Sequence, residues 1–342
     1  MQQLTFQEPG RLEWIDVPAP RLASDEGALV RPLVVTTCDL DHMIVTGRVP
    51  LPGPFPLGHE FVAEVVEIGD AVTSVRPGAR VVVPFQISCG RCGRCRKGRT
   101  SSCENAPVRA AYGLGPIGGL QWGGALSDLV LVPFADAMLQ PLPPGVAPTA
   151  VASASDNLCD AWRTVAPYLA EEPGADVLVV GGGAVSISLY AVAVARALGA
   201  GRVVYLDVDP ARGAIAERLG AEVQIGPHPG RAGEFAITVD ASADPDGLAC
   251  ALRSVTPYGI CTSVGIYYTD TAVPLLEMYG RGVRFVTGRV DARAHLPHVL
   301  ELVASGRLDP TPVTTARVSW DDAIDGLLHG GAKPVIVRDG AQ

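Results

Sequence analysis

From Gln3 to Gly145 the apolar positions fall in short β-rich runs broken by Pro and Gly. Examples are ALVRPLVV (28–35), FVAEVVEIG (61–69) and ARVVVPF (79–85). Many short strands between turn residues predict an all-β, partly open barrel. The Pro-rich segment LQPLPPGVAP (139–148) reads as a linker or boundary. The rhythm then changes. ADVLVV (175–180) predicts a buried strand and AVSISLYAVAVARALGA (184–200) a helix. RVVYLDV (202–208) predicts a strand, PARGAIAERLGA (210–221) a helix, and FAITVDA (235–241) and GICTSVGI (259–266) further strands. Strands alternating with helical patterns imply parallel βαβ units in a doubly wound sheet. Near Asp291 the pattern leaves this regime. AHLPHVLELVASG reads as a helix and AKPVIVRD as a final strand, which we expect to return to the first domain. The fold class is therefore α/β, a β-rich domain followed by a doubly wound one, with boundaries at 1–150, 151–290 and 291–342. The chain holds no internal repeat or low-complexity tract.

The length of 342 residues fits two domains at ~100–200 residues each, and 48% hydrophobic residues can fill two cores. Lys+Arg of 27 against Asp+Glu of 36 gives a net charge of −9, which argues against a nucleic-acid phosphate backbone as main partner. The uncharged stretch 177–195 has the length of a membrane span. Gly181, Gly182 and Gly183 interrupt it between a β-branched and an Ala-rich half, so strand, turn and helix fit better. With no basic region leading an apolar one at the N-terminus, a cytoplasmic protein without a membrane partner is expected. In that setting eight cysteines read as metal or catalytic sites rather than disulfides.

Cys89, Cys92, Cys95 and Cys103 are spaced C-x2-C-x2-C-x7-C in CGRCGRCRKGRTSSC. Closely spaced thiolates on a turn-rich loop supply the tetrahedron of soft ligands that structural zinc requires. Gly90, Gly93 and Gly98 let the backbone wrap an ion, and Arg91, Arg94, Arg96, Lys97 and Arg99 are expected to offset thiolate charge. An iron–sulfur cluster uses the same four ligands and is the rival reading, with free thiols in a basic loop as the plain one.

VLVVGGGAVS enters a turn from a strand and leaves it in a helix. Gly181 and Gly183 fill the first two glycine positions of G-x-G-x-x-G, with Ser186 at the third. The first permits a tight turn. The second, with Ala184 and Val185 opening the helix, brings backbone N–H groups to a pyrophosphate. Asp207 ends the next strand, where an acid binds the ribose 2′-hydroxyl and repels a 2′-phosphate. This favours NAD, while Arg212 keeps NADP in contention. The competing reading is the same fold without a dinucleotide.

Cys38 follows a strand, His59 stands in GHE (58–60), and Asp156 lies in SASDNLCDAW. Cys, His and a carboxylate hold zinc while leaving a position open for substrate. Singly these residues are ordinary. Their order changes this: Cys38, Gly-His-Glu, the cysteine lobe, GGALSDLVLVP, the Asp156 segment, GGGAVS and Asp207 together resemble the zinc-dependent medium-chain alcohol dehydrogenase family, over essentially the whole chain. SDNLCDAW is similar to the metal-site segment of its glutathione-independent formaldehyde dehydrogenases. The resemblance implies a GroES-like catalytic domain and a Rossmann domain. It implies two zinc ions per chain, with Cys38, His59 and Asp156 as ligands of the catalytic one. Glu60 would then be an alternate fourth ligand or a support behind the ligands, and Cys159 is a rival ligand. It further implies hydride transfer between NAD(H) and an alcohol, aldehyde or ketone, in a homodimer or homotetramer.

The sequence departs from that family at Cys38-Asp39-Leu40-Asp41-His42-Met43. Leu40 stands where the family has a proton-relaying hydroxyl, and Met43 where it has a His. Leu neither donates nor accepts a proton. Three explanations stay open. His42 or Asp41 supplies another route; or the substrate is a C=N or polarised C=C bond that needs no relay; or the protein is a non-catalytic member of the fold. His42 has a plain reading as a surface histidine. Asp41 has one as an anchor to a C-terminal basic residue, Lys333. Leu40, Phe85, Tyr112, Leu114 and Trp122 are the expected pocket lining.

Overall fold

Strand Ala28–Thr36 exposes only Arg31 among nine residues. It is paired along both edges, and a strand covered on both faces reads as a nearly continuous apolar run. In the computed structural model, which describes residues 1–341, this strand is the middle of a seven-stranded sheet. The order is Ala316–Ser319, Pro334–Val337, Ala28–Thr36, Glu60–Ile68, Arg80–Val83 and Gln140–Pro141, with Val130–Val132 also on Ala28–Thr36. A second sheet holds Arg11–Asp16, Gln2–Glu8 and Phe55–Pro56. Leu4, Phe6, Phe55, Phe61, Tyr112 and Met138 are fully buried members of their shared core.

The 139–148 segment is not a linker. Gln140–Pro141 pairs with Arg80–Val83 at the sheet edge, where a proline's missing N–H breaks no ladder. The first compact unit runs on to Cys159 and also includes Asp291–Ser305 and the segment from Thr314. Strand Pro334–Val337 pairs antiparallel with Ala28–Thr36 through Val335–Thr36.

The second unit contains Asp160–Val290 and Gly306–Val313. Its six strands are all parallel, in the order Glu222–Ile225, Val203–Asp207, Val177–Val180, Phe235–Asp240, Val255–Ser263 and Arg284–Thr287. That is a doubly wound order, which reverses direction after the central Val177–Val180 strand. The two outermost strands carry no apolar run, EVQI and RFVT, and the hydrophobic pattern passes over them. Among the described residues, no helix is long and apolar enough to cross a membrane.

Candidate metal centres and dinucleotide turn

The four thiols of the cysteine lobe converge, with all four Sγ atoms within 4.8 Å of one another. Gly90 and Gly98 turn the loop at φ +71° and +74°, angles that a side chain resists. The donors facing the sulfurs are mostly backbone N–H groups. Cys89 N–H donates to Cys103 Sγ at 3.4 Å, Cys95 N–H to Cys92 Sγ at 3.4 Å, and Glu104 N–H to Cys92 Sγ at 3.5 Å. The Asn105 amide donates to Cys89 Sγ at 3.3 Å. Hydrogen bonds from Glu104 and Cys95 hold the Cys92 thiol down at about 6, whereas burial pushes Cys95 and Cys103 up. Two of the lobe's arginines are engaged by carboxylates. Arg91 is paired with Glu26, and Arg94 lies 3.7 Å from Glu104.

Cys38, His59 and Asp156 form the second group, again with one donor atom each within 4.8 Å of the others. The sheet builds it. The antiparallel register opposes Thr36 to Glu60, so Cys38, just past one strand, meets His59, just before the next. Asp156 is delivered by Ser155, whose hydroxyl accepts from Phe61 N–H and donates to Phe61 O, both at 3.0 Å. Asp41 receives Cys38 N–H at 2.9 Å and lies 3.5 Å from His59 Nδ1, while Asp156 lies 3.5 Å from His59 Nε2.

Lys333 is not the partner of Asp41. Its buried ammonium donates to Glu60 Oε2 at 2.6 Å and to Thr37 O, because the final strand sets it behind the ligand strands. Glu60 therefore faces Lys333 and is outside the three-donor group. Asn157, which no motif singles out, closes the chain. With its NH2 toward the carboxylates it donates to Glu60 Oε1 at 3.0 Å and Asp156 Oδ2 at 3.2 Å. Cys159 donates instead to Ala154 O at 3.0 Å. His42 lies outside the cluster, half-buried; burial and then Arg48 lower its pKa. Leu40 packs on the core of its unit. Of the expected pocket residues, Phe85 lies tilted beside the His59 ring, with centroids 5.6 Å apart. Tyr112 belongs to the core and donates to Leu131 O at 3.0 Å, so its placement in a pocket is corrected.

Both groups fit a divalent ion. Three carboxylates, Asp41, Glu60 and Asp156, crowd His59 with Lys333 as the facing cation. Both His59 nitrogens and Asp41 Oδ1 are buried without a hydrogen-bond partner. Buried polar atoms left unpaired and like charges out of water are costly; a cation at the donor cluster would take one of the two His59 nitrogens and offset the carboxylate charge. Burial pushes the Cys38 thiol up to about 12 and the Glu60 carboxyl to about 7. Burial opposes charge on His59, yet Asp41 and Cys38 raise it well above the ordinary range.

In the dinucleotide turn all three glycines are required. A Cβ on Gly181 would stand 2.4 Å from Asp207 Oδ2, on Gly182 2.6 Å from Ser242 O, and on Gly183 2.8 Å from Ala243 Cβ. Gly182 also has φ +151°, so the intervening position is as constrained as the two motif positions. Gly183 and Ala184 also tie the turn to its neighbour. Their N–H groups are spent on Ser242 O at 2.7 Å and Ala241 O at 2.9 Å, anchoring the turn. The N–H groups without an intrahelical acceptor are those of the first helical turn from Val185. Asp207 is fully buried. Its Oδ2 accepts from Tyr205 at 2.6 Å and its Oδ1 from Asp209 N–H at 2.9 Å, with Arg212 at 2.8 Å. Arg212 also donates to Gly182 O at 2.8 Å, locking the acid to the turn.

Two family models match the chain: an alcohol dehydrogenase GroES-like domain over residues 24–144 and a zinc-binding dehydrogenase over 186–305. A glutathione-independent formaldehyde dehydrogenase of Pseudomonas aeruginosa PAO1 is 36% identical over 64% of this chain, a match spanning 57% of that enzyme's length. A protein of the same description from Bacillus subtilis 168 is 30% identical, over 92% of this chain and 87% of its own. Among solved structures, alcohol dehydrogenase TADH from Thermus sp. ATN1 superposes with a TM-score of 0.89 at 30% identity, covering 99% of this chain and 100% of that one.

Proposed function

Because this chain belongs to the zinc-binding alcohol dehydrogenase family of medium-chain oxidoreductases, we propose that it transfers a hydride between NAD(H) and an alcohol or its aldehyde or ketone. The observation that carries the reading is the convergence of Cys38, His59 and Asp156 in one buried donor group. When bound there, zinc would supply Lewis-acid polarisation of the substrate oxygen, and the nicotinamide would supply the hydride acceptor or donor. Asp41 lies beside His59 and fixes Cys38 by accepting its backbone N–H. Lys333, Glu60 and Asn157 hold Asp156 from behind. Phe85 packs beside the His59 ring. In the cofactor unit, the first turn from Val185 would take the pyrophosphate, and the negative charge of Asp207 would disfavour a 2′-phosphate, which favours NAD; the Arg212 guanidinium is what would admit NADP. Cys89, Cys92, Cys95 and Cys103 would hold a second, structural zinc. The zinc-binding description of the family supports zinc over an iron–sulfur cluster.

One observation favours a second reading. Leu40 puts a hydrocarbon where the relay hydroxyl is expected, and it packs on the core of its unit. Reduction of a C=N or polarised C=C bond would need no such hydroxyl. A scan of NADH oxidation against aldehydes, ketones, iminium ions and enals divides the two. Turnover of aldehydes or ketones supports the first reading, and turnover confined to iminium ions or enals replaces it with the second. No turnover, no NADH binding and a single metal per chain would leave a non-catalytic binding protein.

We also propose a homodimer in a cytoplasmic setting. Edge strand Arg284–Thr287 exposes all four residues, and Leu276, Tyr279 and Tyr258 in the same unit are more than 80% exposed. An open ladder edge with nearby apolar surface is suited to a second copy of the same strand.

A further inference from the structure

Asp240 is a buried carboxylate for which hydride transfer has no use. It ends strand Phe235–Asp240, fully buried, and its register partners are Val180 on one side and Ser263 on the other. It therefore sits at the C-terminal edge of the parallel sheet, directly below the glycine turn. Oδ1 accepts from the Ser242 N–H at 3.1 Å and the Ser242 hydroxyl at 2.6 Å. Oδ2 accepts from the Ser263 hydroxyl at 2.6 Å and the Tyr267 hydroxyl at 2.9 Å. All four donors are neutral. A carboxylate taken out of water is costly, and here only hydrogen bonds offset that cost. A neutral side chain would avoid the penalty, so the charge has to be explained by what the four bonds hold in place.

They hold two loops. The first, 241–244, is the one on which the glycine turn rests: Gly183 N–H and Ala184 N–H donate to Ser242 O and Ala241 O. It is strained, with Ala243 at φ +53°, and a residue without a glycine's freedom keeps such an angle only where its surroundings enforce it. The second loop, 264–267, leaves the next strand. Val264 N–H donates to Asp240 O at 2.8 Å, Tyr267 reaches down to the carboxylate, and a Cβ on Gly265 would stand 2.9 Å from Ala243 N. Asp240 thus ties together the ends of three adjacent strands.

We propose that Asp240, acting through Ser242, Ser263 and Tyr267, is a positioning residue for the nicotinamide dinucleotide, bracing the 241–244 loop so that the 181–184 turn is preformed before the cofactor arrives. This rests on the reading of that turn as a dinucleotide site. A preformed turn removes the ordering cost from binding, so the effect falls on affinity rather than on the chemical step. The test is NADH affinity by titration calorimetry in the metal-loaded protein, with steady-state kinetics and backbone hydrogen exchange alongside. Tyr267→Phe and Ser263→Ala each remove one donor and keep the packing. Each is expected to raise the Kd and KM for NADH about tenfold, the equivalent of one hydrogen bond to a charged group, with kcat within a factor of two. Exchange at 181–184 and 241–244 should quicken in both. Asp240→Asn should weaken binding further; where it fails to fold, the two milder variants decide. Unchanged NADH affinity in both, with or without a lowered melting temperature, overturns the proposal while leaving the cofactor reading intact. Absence of NADH binding by the wild-type protein overturns both.

Discussion

Leu40 follows Cys38 by two residues, and Asn157 directly follows Asp156. Leu40 removes a hydroxyl, and Leu40→Thr restores one at the same backbone position. If the missing relay limits alcohol oxidation, kcat for alcohols rises by about tenfold or more, within the range that positioned proton transfer contributes. An unchanged kcat would show that proton movement does not limit this enzyme. Asn157 links Asp156, one of the three proposed ligands, to Glu60 and, through it, to Lys333. Partners behind a ligand set metal affinity by roughly 10–100-fold, so Asn157→Ala should weaken the second metal by that factor in a chelator competition and leave the cysteine-lobe metal unchanged. Equal loss from both sites would instead mean general loosening.

At the scale of elements, sheet register and helix termini place these side chains. The Thr36–Glu60 register and the Val335–Thr36 register together fix where Cys38, His59 and Lys333 meet. One short element carries an independent, measurable load. Helix Ala135–Met138 presents Asp136, which accepts from Thr73 and Ser74 through their backbone N–H groups and hydroxyls, at 2.7–3.1 Å. Burial would raise this acid, but those bonds outweigh it and hold it at about 2. The carboxylate's folded pKa lies below its unfolded value, so its contribution is present above the ordinary carboxylate range and is lost as pH falls through about 2. The group is largely exposed and screened, so Asp136→Asn should cost only about 1 kcal/mol at pH 7. In urea melts the gap between variant and wild type should close toward pH 2; a gap independent of pH would place the effect elsewhere.

For the whole molecule, metal content and assembly are the deciding measurements. Metal analysis should find two zinc ions per chain. Cys89→Ala should lose one and lower the melting temperature by roughly 10 °C, the shift expected when several kcal/mol are lost from a protein of this size. Cys38→Ala should lose the other with little change in melting. One zinc that survives Cys38→Ala but not Cys89→Ala would remove the catalytic metal from the reading. Sedimentation should give a dimer, and Phe285→Lys on the open edge strand should shift it toward monomer; a monomeric wild type would overturn that assembly.

The sequence by itself determined what depends on local order. Two cores and a parallel sheet followed from apolar periodicity, the cysteine lobe from spacing within one loop, and the family from motifs taken in sequence. It could not reach what long-range register decides. Lys333 and Glu60 are 273 positions apart, and only the pairing of the last strand brings them together. Asn157 and Asp240 look like ordinary polar residues until folding buries them beside specific acceptors and donors. Gly183 and Ala184 were legible as members of a turn, but the acceptors of their N–H groups lie on a loop some sixty residues away. Spacing along the chain fixes which residues are neighbours within an element; which buried charge meets which partner depends on how elements pair, and that is a property of the folded molecule alone.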